Sequence, residues 1–442
     1  MNQRPALRFS YMAKTNMVFI SLIMASVPAY AYDYAAAIDL SGFKVTGDGR
    51  AGWVSYDYGN PNGDPTINKG HKDSEGFYAV PKLSLQTPSY WGFDAKITGA
   101  GATDFGLNDP AKEPRNFVFD PTENESFAIL QELYVEYDDE QHNGLVGRKE
   151  NITPMIDYDD RYMLGNSFAI AKYTNRSLDN TALHIGYFYQ MAGVWDSGAN
   201  GTEFNSMSKA SFVPQVNKDQ AGDKGVYYAA ADYSDGRHHG QLWEYYAEDL
   251  YNMLFAQYDL TTGSKKYNED FGLQFINWSQ VGKLESSSTE IDYSLYSVKY
   301  DGNFENGFSF ATGISKYTDG PGQSATLGAW GGYPYFANGM IFRFFEAGSL
   351  QNASSYKVQG AYNLKQAGFK NTTVKLRYTY YNLDPEYSYA SDGQPQDYMQ
   401  LTGIQLSYSF MKTGYFTGTF EYSEVENEKA SNALRLIGGY KF

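Results

Sequence analysis

"TTVKLRYTYYNL", Thr372 to Leu383, carries two chemistries on alternate residues. Successive side chains of an extended strand point to opposite faces. Val374, Leu376, Tyr378 and Tyr380 therefore share one face, and Lys375, Arg377, Thr379 and Tyr381 the other. A central strand of a soluble core cannot set Lys375 and Arg377 against apolar packing without a large desolvation cost. A strand with lipid on one side and a water-filled lumen on the other accepts both faces. The split recurs around Met399 to Met411, where Ile404, Leu406, Tyr408 and Phe410 oppose Gly403, Gln405, Ser407 and Ser409. It recurs again around Phe127 to Asp138, where Phe127, Ile129, Leu133, Val135 and Tyr137 are read opposite Glu132, Tyr134 and Glu136.

Composition agrees with strands at a lipid boundary. The 442 residues include 41 Tyr but 6 Trp, 44 Gly and no Cys. Mean hydropathy is low at -0.52, and after residue 31 no run approaches the ~20 apolar residues that a helical span needs. A membrane barrel escapes that test because its strands need an apolar residue only at every second position. Without cysteine there is no disulfide framework and no thiolate metal site.

Arg4, Arg8 and Lys14 precede an apolar stretch, "MVFISLIMASVPAYA", that ends in Ala29-Tyr30-Ala31. This pattern is that of a secretory signal peptide over residues 1–31, cleaved near Ala31. Residues 32–442 then form one barrel domain with 32 basic and 51 acidic residues, a formal charge of -19. That balance disfavours nucleic acid as a partner.

Alternation places eighteen strands near 40–58, 75–87, 92–104, 127–138, 143–149, 167–175, 181–191, 225–234, 238–247, 249–260, 267–278, 289–301, 306–317, 354–364, 371–382, 398–411, 415–425 and 430–442. Sixteen is the alternative count. Links after even-numbered strands are short, among them "DEQH", "SDGR" and "KTG". Links after odd-numbered strands are often long, notably 59–74, 105–126, 150–166, 192–224, 318–353 and 383–397. Segregation of loop length by parity is the mark of a transmembrane antiparallel β-barrel with short periplasmic turns and long external loops. The hairpin near Ala247 to Asp249 is short for the long-loop side. At the carboxyl end, "ALRLIGGYKF", Leu434, Leu436, Tyr440 and Phe442 fall on the lipid face, and Arg435 and Lys441 on the other.

Three stretches resemble the OprD family of outer-membrane porins: Gly144 to Tyr173 ("GLVGRKENITPMIDYDDRYMLGNSFAIAKY"), Gly240 to Leu260 ("GQLWEYYAEDLYNMLFAQYDL") and Ser354 to Asp384 ("SSYKVQGAYNLKQAGFKNTTVKLRYTYYNLD"). The resemblance implies an eighteen-stranded, often monomeric channel in the outer membrane of a Gram-negative bacterium. It would be narrowed by inward-folded third and seventh loops, here 150–166 and 318–353, and would pass small nutrients that commonly bear carboxylates. The family's ladder of basic side chains maps onto Arg148, Lys357, Lys375, Arg377 and Arg435. Opposite it would stand Glu132, Glu136, Asp157, Asp159 and Asp160, with Arg161 in the constriction loop. Arg377 would hold a carboxylate by its planar fork and Lys375 as a point charge. An aromatic terminus, Tyr440 and Phe442, resembles the signal by which outer-membrane barrels are recognised by their assembly machinery.

Each site has a plainer reading beside it. "DYDDR" is either pore lining or a solvated acidic loop in which Arg161 pairs with Asp159 or Asp160. Carboxylates are suitable Ca²⁺ ligands, but three acids in a loop read first as a solvated loop, so no metal is assigned. "RHHG", Arg237 to Gly240, reads as a polar turn. The apolar, Gly-rich stretch "GAWGGYPYFANG", 328–339, is ill suited to bulk water and reads as folding into the barrel mouth or meeting a neighbour or lipid headgroups. Small inward residues, among them Gly403, Ser407, Ser409, Ser309, Ala311 and Gly313, read as the lining of an open lumen. No nucleophile elbow, phosphate loop, dinucleotide fingerprint or metalloprotease pattern is present, so no enzyme activity and no cofactor is expected. The expected function is diffusion of small hydrophilic solutes, carboxylates or amino acids. Its partners would be those solutes and the lipids of the outer membrane. A non-selective porin, monomeric or trimeric, and a structural or adhesive barrel are the alternatives.

Overall fold

The computed structural model describes residues 42–109, 126–159, 163–193, 203–210, 222–264, 267–283, 292–318, 330–342, 349–410 and 413–442. Eighteen long antiparallel strands, Lys44–Asp57 to Ser431–Lys441, pair with their neighbours in sequence. A two-residue strand, Asn205–Ser206, lies against Thr181–Ala192 on the long-loop side. The first strand pairs with the last from Asp48↔Lys441 to Asp57↔Asn432, which closes the sheet into a barrel. The count is thus eighteen, and most strand ends fall within a few residues of the expected positions. The first strand begins at Lys44 and the tenth ends later than expected, at Ser264. The signal-peptide region lies outside the described residues.

Outside, the barrel is built for lipid. Leu133, Val135, Ile185, Leu242, Leu273, Val298, Leu376 and Ile404 are all exposed large apolar side chains on outward positions. Aromatic pairs flank them at both ends, as the two interfacial girdles of a membrane barrel require. At the short-turn end Phe93 meets Tyr137 and Phe304 meets Tyr267 and Phe308, with ring centroids 4.8 to 5.9 Å apart. At the long-loop end Tyr187 meets Tyr227 and Tyr380 meets Tyr398. Phe442 stays on this outward face, hydrogen-bonded through its backbone to Gly47, with its ring in the space a Cβ on Gly47 would need.

The face assignment of the fourth strand needs correction. The register between Phe93–Ala102 and Phe127–Asp138 slips at Thr98/Gly99, leaving Gln131 as a bulged residue. A bulge inserts one residue and reverses the parity beyond it. Phe127 and Ile129 consequently turn inward with Gln131, while Leu133, Val135 and Tyr137 face out as expected.

Inward positions change character with depth. Near the long-loop end they are apolar: Val54, Tyr56, Tyr78, Tyr245, Tyr251, Trp278, Tyr293 and Met399 are buried. Near the short-turn end the same strands carry Asp48, Arg50, Lys82, Asp259, Lys299 and Asp301. The hydrophobic core of this protein therefore sits inside the barrel, under the long loops.

Candidate lumenal constriction

The described residues of the third loop, 150–159 and 163–166, lie inside the wall, and the first of them turn back on themselves. Thr153 and Ile156 are joined by a 2.9 Å backbone bond, and Tyr158 N–H donates to the Asn151 carbonyl at 2.9 Å. Its two ends are tied by the bulge: the Gln131 amide donates to Glu150 Oε1 at 2.7 Å and to the Gly165 carbonyl at 2.9 Å. Re-aiming a side chain is what a bulge does mechanically. The tip, Met155 and Ile156, is fully buried.

Residues 330–342 of the seventh loop meet that tip. Asp157 N–H donates to the Trp330 carbonyl at 3.1 Å, and Ile156 bridges to Trp330 and Gly331. Trp330 packs on Tyr251, 5.4 Å between rings, and its indole N–H donates to the Met207 carbonyl at 2.8 Å. The "GAWGGYPYFANG" stretch, described from Trp330 onward, thus lies inside the barrel. Burial pushes the Tyr335 phenol well above the usual tyrosine range, with Tyr293 beside it.

Wall residues then hold the loop. Tyr381 Oη donates to the Ala337 carbonyl at 3.2 Å and Thr379 Oγ1 to the Asn338 carbonyl at 2.9 Å. Arg377 Nη1 donates to the Gly339 carbonyl at 2.8 Å, while its Nε and Nη2 are occupied by Gln359 Oε1 at 3.0 and 2.8 Å. Glu421 accepts from the N–H groups of Met340, Ile341 and Phe342, each at 2.6 Å. Gly313 and Gly403 face inward as expected, but the space they leave is filled: a Cβ there would stand 2.8 Å from the Phe336 carbonyl oxygen and 2.8 Å from Met340 Sδ, respectively.

The expected basic residues separate into different environments. Lys357, Lys375, Arg377 and Arg435 are on inward positions. The ammonium groups of Lys357 and Lys375 have no ion-pair or hydrogen-bond partner among the described residues. Arg148 departs from expectation. It stands opposite Leu133 on the outward face, its guanidinium 4.1 Å from the centre of the Phe204 ring. Lys149 occupies the lumen instead, 2.9 Å from Glu136 and 4.4 Å from the centre of the Tyr134 ring. Glu132 is paired with Lys96 at 2.6 Å and accepts from Thr98 at 2.7 Å. Asp157 and Asp159 sit in the third loop; Asp160 and Arg161 lie outside the described residues. Among the described residues no group of three or more His, Asp or Glu is arranged to hold a metal ion.

Sequence reasoning missed several members of this lumen. Lys82 to Glu150 at 2.5 Å, with Lys96, Glu132, Asp48 and Arg50, lines a cavity of about 500 Å³ below the third loop. Lys299 bridges Asp259 at 2.9 Å and Asp301 at 3.4 Å. His239 is not a turn residue; it enters a strand and bonds Asp232 at 3.0 Å. Glu421 was overlooked, although it shares an inward parity with Thr417, Thr419 and Ser423 that alternation alone exposes.

No family model and no curated relative matches the chain. Solved structures do. OpdK of Pseudomonas aeruginosa, solved with vanillate, superposes with a TM-score of 0.73 at 15% identity, covering 91% of this chain and 99% of that one. OccK9 (OpdG) of the same organism gives 0.74 at 12%, with the same coverages. OccAB4 of Acinetobacter baumannii gives 0.73 at 16%, covering 90% and 98%. A BenF-like porin of Pseudomonas fluorescens is similar at 0.70 and 13%, covering 90% and 98%. The fold of this chain, across nine-tenths of its length, is the eighteen-stranded barrel of these channels.

Proposed function

We propose that the protein is an outer-membrane channel of the OprD type, through which small hydrophilic solutes diffuse and in which carboxylate-bearing ones are favoured. The observation that carries this reading is the pair Lys357 and Lys375: two ammonium groups on the lumen wall without a partner among the described residues, where Lys82, Lys96, Lys149 and Lys299 are each paired with a carboxylate. An unpaired lumenal cation is free to exchange water for a passing carboxylate. Arg377 leaves the list of solute ligands, since its fork is occupied by Gln359 and the seventh loop. Export by cleavage near Ala31, and recognition of Tyr440 and Phe442 by the assembly machinery, belong to the same proposal.

Reversal potential in a planar bilayer under a KCl gradient tests it. Anion preference supports carboxylate passage, and cation preference hands control to Asp259, Asp301 and the loop acids. A structural barrel is the second reading, favoured by the packed long-loop half of the lumen. Folded protein without conductance steps would establish it in place of the channel.

A further inference from the structure

We infer that Arg377 and Glu421 form a two-sided clamp on the backbone of the seventh loop, and that this clamp positions the constriction. Six consecutive loop residues each give one backbone group to a wall side chain. Ala337, Asn338 and Gly339 give carbonyls to Tyr381, Thr379 and Arg377; Met340, Ile341 and Phe342 give N–H groups to Glu421. The order is chemically sorted. A cation and two hydroxyls read the carbonyls, and a carboxylate reads the amides.

Pairing register explains how the two halves meet one segment. Arg377 stands opposite Gly403, and Gly403 opposite Glu421, on three successive strands. Because the middle position has no side chain, Met340 passes over it. No ion pair joins Arg377 to Glu421 among the described residues; the loop lies between them. Buried backbone groups outside regular structure need such partners, and bonds to charged groups are about twice as strong as neutral ones. Glu421 is fully buried, so the dependence is mutual. Without the loop its carboxylate would lose its donors, and without the carboxylate three loop amides would lose their acceptor. Arg377 and Glu421 are therefore positioning residues, whatever solute passes.

The chain has no cysteine, so Ala337→Cys supplies a single thiol at a buried loop position. Its labelling by a methanethiosulfonate reagent is compared in the folded barrel alone and with Glu421→Ala, Arg377→Lys or Lys365→Gln. Labelling is expected to quicken by about tenfold or more with Glu421→Ala, since opening of the loop then costs less. Arg377→Lys keeps the charge but loses the fork, and should give a smaller increase of the same sign. Lys365→Gln, in the exposed short turn Leu364–Ala367, should leave the rate unchanged. A labelling rate unaltered by both clamp substitutions in folded protein overturns the inference. If Glu421→Ala does not fold, Arg377→Lys decides by the same readout. The thiol reports loop position without current, so failure of the clamp is distinguishable from failure of the channel reading.

Discussion

The lumen has two halves that differ as a protein core differs from a water-filled cleft. In the long-loop half, Tyr245, Tyr251, Trp278 and Tyr293 of the wall pack against Met155, Ile156 and Trp330 of the loops, and all are buried. In the short-turn half, Lys82, Lys96, Lys149 and Lys299 stand beside Glu150, Glu132, Glu136 and Asp259 at 2.5 to 2.9 Å. Strands Lys44–Asp57, Ser74–Gln86, Tyr251–Ser264 and Asp292–Phe304 carry both characters, so on each of them only depth changes. The contrast teaches that the inward face of a membrane barrel is not one environment. Loops that fold inward bring apolar surface with them, and the wall meets that surface with aromatics, while Arg377 and Glu421 take the loop backbone.

A charge placed in the dry half should have the largest effect. Ile156→Lys sets an ammonium between the two loops, and an uncompensated buried charge costs about 3–5 kcal/mol. The denaturant midpoint of the barrel in lipid vesicles should fall accordingly; an unchanged midpoint would mean that this half is wet. Next comes the outer surface. Leu376→Arg should cost about 2–4 kcal/mol if Leu376 lies near the bilayer midplane, read from refolding titrations, although its neighbour Lys375 is already charged. That pair of residues separates lipid from lumen in a single step of chain.

Changes in the charged half should be milder. Glu136→Gln removes the partner of Lys149, whose side chains retain about a fifth of their exposure, and should cost about 1 kcal/mol or less because water replaces the lost partner. Lys357→Gln with Lys375→Gln should change stability by no more than about 0.5 kcal/mol, yet move the reversal potential toward cation preference and slow carboxylate flux. Unchanged permeation would remove these two lysines from the selectivity of the pore.

Much of this was legible in sequence because strand patterns have a period of two and loop lengths alternated by parity. Those signals give eighteen strands, the outward course of Leu434 to Phe442 and the inward placement of Lys375, Arg377 and Arg435, while Lys357 comes from the family resemblance. They failed where parity breaks. Adjacent polar residues Gln131 and Glu132 were the visible trace of the bulge, and "LVGRK" admitted two phases, of which pairing with Leu133 selects the one that turns Arg148 outward. Loop contacts were illegible for another reason. Irregular backbone has no period, so nothing in the chain announces that Ile156 meets Trp330 or that Glu421 receives three amides. Even the small residues mislead in part, since Gly313 makes room for the Phe336 backbone and Gly403 for the Met340 side chain, where alternation suggests open water.

Closure of the first strand on the last has a consequence for the order of folding. Every other ladder joins strands adjacent in the chain or separated by a single loop, whereas Asp48 must find Lys441. Contacts of such separation are the slowest to form, because loop closure must precede the bonds that reward it. Until then two strand edges stay open, each a template for pairing with the wrong chain. The seam should therefore be the last contact to form, and the interval before it closes is when the nascent barrel should most need a chaperone.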